Sequence, residues 1–231
     1  MANERGAKER SKPDVVRLTT PVTAEAIAGL SLGQVVYLDG VVYTAREGVY
    51  RRILDEGAAP PVDLKVLSNV NFHCSPAASV AEDGTANVGA VSATASFRFS
   101  QWMARWFEIS GAQIIIGKGG MSEADYRDIF VPAGAVYLTT VGYGTGALLG
   151  RGIKRVRDVH WLKELGIAQA LWVFEVEKFG PFLVESDAAG NSLFESQNRA
   201  LAARIDSLYE GLKPPSLHRY GETDDRKDEL I

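Results

Sequence analysis

One cysteine, Cys74, in a chain of 231 residues excludes an internal disulfide, and a lone thiolate cannot hold zinc or an iron–sulfur cluster without several further ligands. No apolar run reaches the roughly 18 residues of a membrane-spanning helix, and the charged segment from Met1 to Lys12 lacks the apolar stretch of a signal peptide. A cytoplasmic location is expected on that ground. Basic residues are not in excess either. Twenty-five of them against 29 acidic residues leave a formal charge of −4, which argues against general attraction to nucleic acid or to anionic membranes. No internal repeat of roughly 20 to 50 residues is present, which removes solenoids and propellers. Lys227-Asp228-Glu229-Leu230 is followed by Ile231 and so is not a terminal retention signal.

What remains has the balance of a globular domain, with 46% apolar and 23% charged residues. Residues 1–13 and 214–231 are polar and bury too little apolar surface to offset their ordering entropy, so they are read as tails around one domain spanning 14–213. Gln34 to Leu38 and Val41 to Thr44 flank Asp39-Gly40, a strong turn signal that predicts a β-hairpin. Thr44-Ala45-Arg46-Glu47 fits a capping box with Thr44 as N-cap, predicting a helix from Arg46 to Gly57. Further strands are predicted at Val66 to Phe72, Ala112 to Ile116, Ala135 to Thr140, Leu171 to Val176 and Phe182 to Glu185. Helices are predicted at Phe97 to Ile109 with Ser96 as cap, after Ser122 with Asp125, at Gly146 to Val156, and at Ser192 to Leu212. Such an order predicts an α/β domain with a mixed sheet, not a regular doubly wound fold.

The informative anomaly is electrostatic. Arg46 and Arg98 each fall two residues after a predicted N-cap, where the helix dipole already presents positive charge. An anion at those ends relieves the mismatch, because first-turn N–H groups and a guanidinium can converge on one carboxylate or phosphate. Two such places suggest a small dianion. Lys118 adds a third cation at the end of the apolar run Ile114-Ile115-Ile116, within Gly117-Lys118-Gly119-Gly120, where ligands of open α/β sheets collect. For each of the three the plain alternative is a solvated cation.

Other signals are weaker. Gly142-Tyr143-Gly144-Thr145-Gly146-Ala147 formally satisfies a dinucleotide fingerprint, but Glu164, some 20 residues on, lies in a helix-like segment, and a close-packed strand-to-helix turn explains the glycines equally well. Arg151, Lys154, Arg155 and Arg157 are placed in the last turns of a helix, where cations complement the dipole. His73 and Cys74 are adjacent, hence on opposite faces of an extended chain, which disfavours a nucleophile pair. His160 and His218 have no carboxylate at a telling spacing.

Taken in order, Leu32-Gly33-Gln34-Val35-Val36 through Tyr43-Thr44-Ala45-Arg46-Glu47, then Ala93-Thr94-Ala95-Ser96-Phe97-Arg98, Ile116-Gly117-Lys118-Gly119, and Gly142 to Leu149 resemble the beta subunit, or C-terminal catalytic domain, of the class I fumarase and L(+)-tartrate dehydratase family. The resemblance covers roughly residues 15–190 and is carried most specifically by Arg46, Thr94, Arg98 and Lys118 together. It implies a swivelling β/β/α domain with a mixed sheet, similar to the mobile domain of aconitase. It also implies an alpha subunit partner whose cysteines hold a [4Fe–4S] cluster, in an αβ or α2β2 assembly. Arg46, Arg98 and Lys118 would then hold a hydroxydicarboxylate while Thr94 acts as the base in a reversible elimination of water. Arg98 and Lys118 are the candidate cations to stabilise its alkoxide, and Ser96 would bind substrate through the amide groups near Ser96 and Phe97.

Some positions depart from the family pattern. Ser92-Ala93-Thr94-Ala95 stands where Gly-Pro-Thr-Thr is usual, Tyr50 where a histidine is expected, Gln169 near a usual glutamate, and Phe72-His73-Cys74-Ser75-Pro76 in place of a Gly-Pro turn. The charge clamp persists while its lining changes. A non-catalytic dicarboxylate-binding paralogue is the alternative expectation.

Overall fold

The computed structural model describes residues 14–142 and 144–208. Two units divide the chain, Met1–Phe194 and Glu195–Ile231. The first opens with β1, Val15–Thr19, and a short helix α1, Ala24–Ala28, whose N-cap Thr23 accepts from the Ala26 amide. Next comes β2, Val35–Thr44, a single strand of ten residues.

The predicted hairpin is therefore corrected. Asp39-Gly40 does not turn the chain; the strand runs through it, and the extra residues at the two irregularities lie on its antiparallel partner, Phe182 to Phe179 and Phe179 to Val176. Register shifts in the pairing of β2 fall between Val36 and Leu38 and between Leu38 and Gly40. Gly40 has φ +105°, and a Cβ there would lie 2.5 Å from the Thr20 hydroxyl, which itself accepts from Val41 N at 2.6 Å. The glycine thus serves a close approach of two chain segments rather than a reversal.

Helix α2, Glu47–Tyr50, runs on through one wide turn, Arg51–Asp55. The segment predicted as a strand from Val66 is first a helix, α3, Leu64–Leu67, capped by Asp63, and only then β3, Val70–Phe72. Strands β4, Cys74–Val80, and β5, Ala86–Ala93, form a separate antiparallel pair that was not predicted. A tight turn, Ser96–Phe99, leads into α4, Ser100–Ser110, which ends on Gly111 in the left-handed region. After it come β6, Ile114–Gly117, then α5, Glu123–Asp125, with the predicted Ser122–Asp125 capping box, and β7, Val136–Thr140.

Helix α6, Gly146–Gly152, is shorter than predicted, because the chain from Ile153 to His160 is strand β8. Lys154, Arg155 and Arg157 therefore do not sit at a helix end. They pair along the strand, Lys154 with Glu177 and both arginines with Glu175. His160 ends the same strand 3.2 Å from Asp158, a neighbour the spacing did not single out. A short α7, Leu162–Leu165, precedes β9, Leu171–Ser186, which joins the two predicted strands into one of 16 residues. Helix α8, Leu193–Leu208, follows. Its predicted extension to Leu212, His218, Tyr143 and both tails lie outside the described residues.

The large sheet runs β1-β2-β3-β6-β7-β9-β8, and β9 also pairs with β2, so five of its strands close into a ring. Strands β2, β3, β6 and β7 are mutually parallel and β9 is antiparallel to its neighbours, giving the mixed α/β sheet expected. Both faces are covered, so the strands read as continuous apolar runs rather than alternating ones. Ile114 and Ile116 enter one core with Val36, Phe72, Leu138 and Phe182, while Ile115 enters the other with Tyr50, Trp106, Tyr126 and Tyr137. Parallel strands end on the same side. The residues that leave β2, β3 and β6 there are Ala45-Arg46, His73 and Lys118.

Candidate functional site

Arg46 sits at the end of β2, where the backbone is still extended (φ −140°), and it is itself the N-cap of α2. The expected cap, Thr44, remains in the strand. Its hydroxyl donates to Ala170 O at 3.2 Å and accepts from Trp172 N at 3.0 Å. Gln169 supplies the missing cap in its place, its Oε1 accepting from Gly48 N at 3.1 Å. Arg46 is thus not a first-turn residue. Its guanidinium reaches back to the start of β4, donating from Nη1 to Ser75 Oγ and, at 2.8 Å, to Ala168 O, while its Nε is buried without a partner. Burial pushes the guanidinium below its ordinary pKa; the Cys74 thiol opposes this, the like charge of Arg98 adds to it, and the Glu47 carboxylate opposes it least.

Arg98 belongs to the tight turn entered from Ala95, which makes no side-chain cap bond. Its side chain is half exposed and stands 3.9 Å from Glu47 on α2. Arg46 and Arg98 therefore share one neighbourhood, with the Glu47 carboxylate between their elements. Both facing groups on Arg46 are neutral oxygens.

Thr94 and Lys118 are brought together by the backbone. Ala95 and Lys118 form a parallel bridge, and Lys118 N donates to Thr94 O at 3.2 Å. Thr94 N in turn donates to His73 O at 2.7 Å, and His73 N to Ile116 O at 2.7 Å. The main chain of Thr94 is pinned on both sides. A narrow pocket of about 40 Å³ adjoins Lys118, lined also by Ser92, Ala93, Thr140, Thr145 and Leu149.

Ser96 is fully buried, and its hydroxyl is spent on the protein, 2.7 Å from His73 Nδ1 and accepting from the Tyr137 hydroxyl at 2.7 Å. It neither caps a helix nor turns a side chain outward, so any part it takes toward a ligand falls to its amide. His73 Nε2 lies 2.6 Å from the Tyr50 hydroxyl, and the Tyr137 hydroxyl also reaches Lys118 O at 3.3 Å. A chain of four buried side chains, Tyr50-His73-Ser96-Tyr137, thus runs beneath Thr94. Gly117 makes it possible, since a Cβ there would lie 2.1 Å from Ser96 Oγ and 2.4 Å from Tyr137 Oη.

Burial lowers the His73 pKa to about 3, with the charge of Arg46 adding to the effect, so the imidazole is neutral at physiological pH. Burial raises the hydroxyls of Tyr50 and Tyr137 and the thiol of Cys74. Sequence reasoning missed His73, Tyr137 and Ser75 as part of the site. A usable signal existed in Tyr137, a phenol at the centre of an apolar strand, because a buried tyrosine hydroxyl nearly always finds a partner.

The glycine motif after β7 serves packing. Cβ atoms at Gly146 and Gly150 would lie 2.9 Å from Val91 O and 2.4 Å from Gly89 O, so both glycines let α6 lie directly on β5. Among the described residues no three His, Cys, Asp or Glu side chains gather as a metal site, and Cys74 is sealed in the core. They offer no ligand set for an iron–sulfur cluster. Among the described residues, no helix is long and apolar enough to cross a membrane.

A family model described as the fumarase C-terminus matches residues 2–197. An L(+)-tartrate dehydratase subunit beta of Escherichia coli is 30% identical over 201 residues, covering 84% of this chain and 93% of its own. A protein of Methanocaldococcus jannaschii provisionally named as the same subunit is 32% identical over 190 residues, covering 81% of this chain and 95% of its own. A provisionally named class I fumarate hydratase of Geobacillus stearothermophilus is 31% identical over 204 residues, which cover 88% of this chain but 38% of that longer protein.

Proposed function

The chain belongs to the fumarase C-terminus family, and from that premise we propose that it is the beta subunit of a two-component hydro-lyase for a small hydroxydicarboxylate of the malate or tartrate type. Its partner in this reading is an alpha subunit that carries a [4Fe–4S] cluster, and the present chain is the swivelling, substrate-clamping half. The observation that carries the proposal is the pairing of Arg46 with Arg98: two guanidinium groups close enough to repel, one of them half buried with its hydrogen bonds going to neutral oxygens, and with the Glu47 carboxylate 3.9 Å from the other. A doubly charged anion between them satisfies both.

The residues then divide the work. Arg46 and Arg98 bind and orient the carboxylates. Lys118, its backbone tied to Thr94, adds charge at the end of β6. Thr94, as the alkoxide, takes the proton from the carbon adjacent to the one that loses its hydroxyl and becomes a neutral hydroxyl. A threonine is a poor base in water, so this step depends on neighbouring cations that stabilise the alkoxide. Amides at the start of the Ser96–Phe99 turn face the enolate-like carboxylate that forms.

The test is co-expression with a cluster-bearing alpha subunit and assay with malate, tartrate and mesaconate. Turnover is expected only from the assembled pair. Arg98→Ala should cost about 100-fold in kcat/KM, roughly 3 kcal/mol of transition-state stabilisation, with an unchanged melting temperature because the side chain is half exposed. Turnover by this chain alone, or an Arg98→Ala enzyme as active as the wild type, overturns the proposal. Binding without turnover of any of the three acids would mark a non-catalytic paralogue, the reading that the altered Ser92-Ala93-Thr94-Ala95 loop favours.

A further inference from the structure

The chain Tyr50-His73-Ser96-Tyr137 is more than core filling, because its two ends belong to the two arginine-bearing elements. Tyr50 closes the first turn after Arg46, its amide donating to Arg46 O at 2.9 Å. Ser96 opens the turn that carries Arg98 two residues on. Between them stands one imidazole, 2.6 Å from the Tyr50 hydroxyl and 2.7 Å from the Ser96 hydroxyl, while its own backbone carbonyl holds the Thr94 amide.

The direction of the hydrogen bonds follows from counting protons. A neutral imidazole carries one N–H. If it is on Nδ1, it donates to Ser96 Oγ, Tyr50 donates to Nε2, the Ser96 hydroxyl reaches Thr94 O at 3.5 Å, and Tyr137 donates to Ser96 Oγ or to Lys118 O. Every donor then has an acceptor. In the reverse sense the Tyr50 proton would have to leave the 2.6 Å contact with His73 for the Asn71 amide, which is near enough to pull the Tyr50 hydroxyl down in pKa but makes no well-formed hydrogen bond. Around it stand the rings of Phe99, Trp102 and Trp106, which accept nothing of comparable strength.

We infer that His73 is a positioning residue of this site: held as the Nδ1–H tautomer, it couples the helix entered at Arg46 to the turn carrying Arg98 and so sets the spacing of the two guanidinium groups. The inference rests on the dicarboxylate reading above for what that spacing serves. Its location explains why a histidine suits the position. The ring presents two nitrogens in nearly opposite directions with no flexible bond between them, so two buried hydroxyls are spanned at a fixed distance. A neutral ring is also the only form that can both accept and donate, and the surroundings keep it neutral.

Two measurements test it. In the full chain, with its three histidines labelled with ¹⁵N, His73 is identified by the signal lost in His73→Asn. It should show a slowly exchanging Nδ1–H that persists from pH 8 to pH 5. An Nε2–H tautomer, or an imidazolium formed within that range, overturns the assignment. In the assembled enzyme, Tyr50→Phe and His73→Phe should each raise KM for the dicarboxylate at least tenfold. His73→Asn, which retains an N–H toward Ser96, should stay within about threefold of wild type. KM does not depend on the fraction of enzyme that is folded, so a merely structural loss leaves it unmoved. Unchanged KM in both Tyr50→Phe and His73→Phe overturns the inference. If the wild-type pair turns over no dicarboxylate, the functional reading falls by itself, and the tautomer measurement still decides the place of His73.

Discussion

His73 shows how much a single residue can tie the chemistry of a site to the stability of the fold. In the unfolded chain its imidazole titrates near 6.5, whereas in the folded protein the pKa is about 3, mainly because a charged ring would be stripped of water and next because Arg46 repels it. The unfolded state therefore binds more protons between those two values. Stability is fully present above pH 6.5 and is lost as the pH falls toward 3, by at most about 1.4 kcal/mol per unit. The carboxylates held low by ion pairs, Asp39 by Arg17 and Glu175 by Arg155 and Arg157, act in the same direction but only below about pH 4. Urea unfolding at pH 7.5, 6.0 and 5.0 should thus show a falling wild-type stability that is nearly flat in His73→Asn. Parallel decline of the two proteins would mean that the imidazole is hydrated and titrates normally.

At the scale of the element, the legible and the hidden parts of the sequence separate by cause. The Ser122–Asp125 box is readable because both partners lie within one turn and nothing distant competes for them. Asp39-Gly40 carries the same local signal as a hairpin turn, yet β1 and β9 flank β2 on either side and the strand runs straight through, the glycine absorbing the crossing of Thr20. Thr44 likewise matches a capping box, but the backbone of β9 claims its hydroxyl from more than a hundred residues away. Arg46, Arg98 and Lys118 were readable as charges where helix starts and strand ends would place them, although Arg46 turned out to be the cap itself. His73 was not, because its partners Tyr50 and Ser96 lie 23 residues off on either side. The motif from Gly142 to Ala147 acquires its meaning from packing. In Gly150→Ala the new methyl would meet the backbone oxygen of Gly89 at 2.4 Å, an atom that cannot rotate away. Alanine favours the helix by roughly 1 kcal/mol and overpacking costs about 1–3 kcal/mol, so a net loss of about 1 kcal/mol is expected from urea midpoints. A stabilised variant would show that α6 is free to lift off β5.

For the molecule as a whole, the matched lengths of the relatives matter. This chain spans nearly all of two tartrate dehydratase beta subunits but 38% of a longer fumarate hydratase, so the same unit occurs both alone and joined to further sequence. A unit that clamps a substrate beside a partner's reactive group must present its arginines at the seam between them, and an apolar side chain there gains from being covered. Phe97 fits that description. It is 64% exposed, and it stands between the buried Ser96 and the half-exposed Arg98. Left in water it contributes little to the fold, whereas an aromatic anchor at an interface commonly carries 2 kcal/mol or more, about 30-fold in affinity. Phe97→Asp should therefore leave the melting temperature of the isolated chain unchanged while weakening association with the proposed alpha subunit by at least that factor, read by calorimetric titration of one purified subunit into the other. Phe97→Leu, which keeps an apolar surface, should recover most of the affinity. Equal affinity for the aspartate variant would place the seam elsewhere and leave Phe97 a solvent-facing residue.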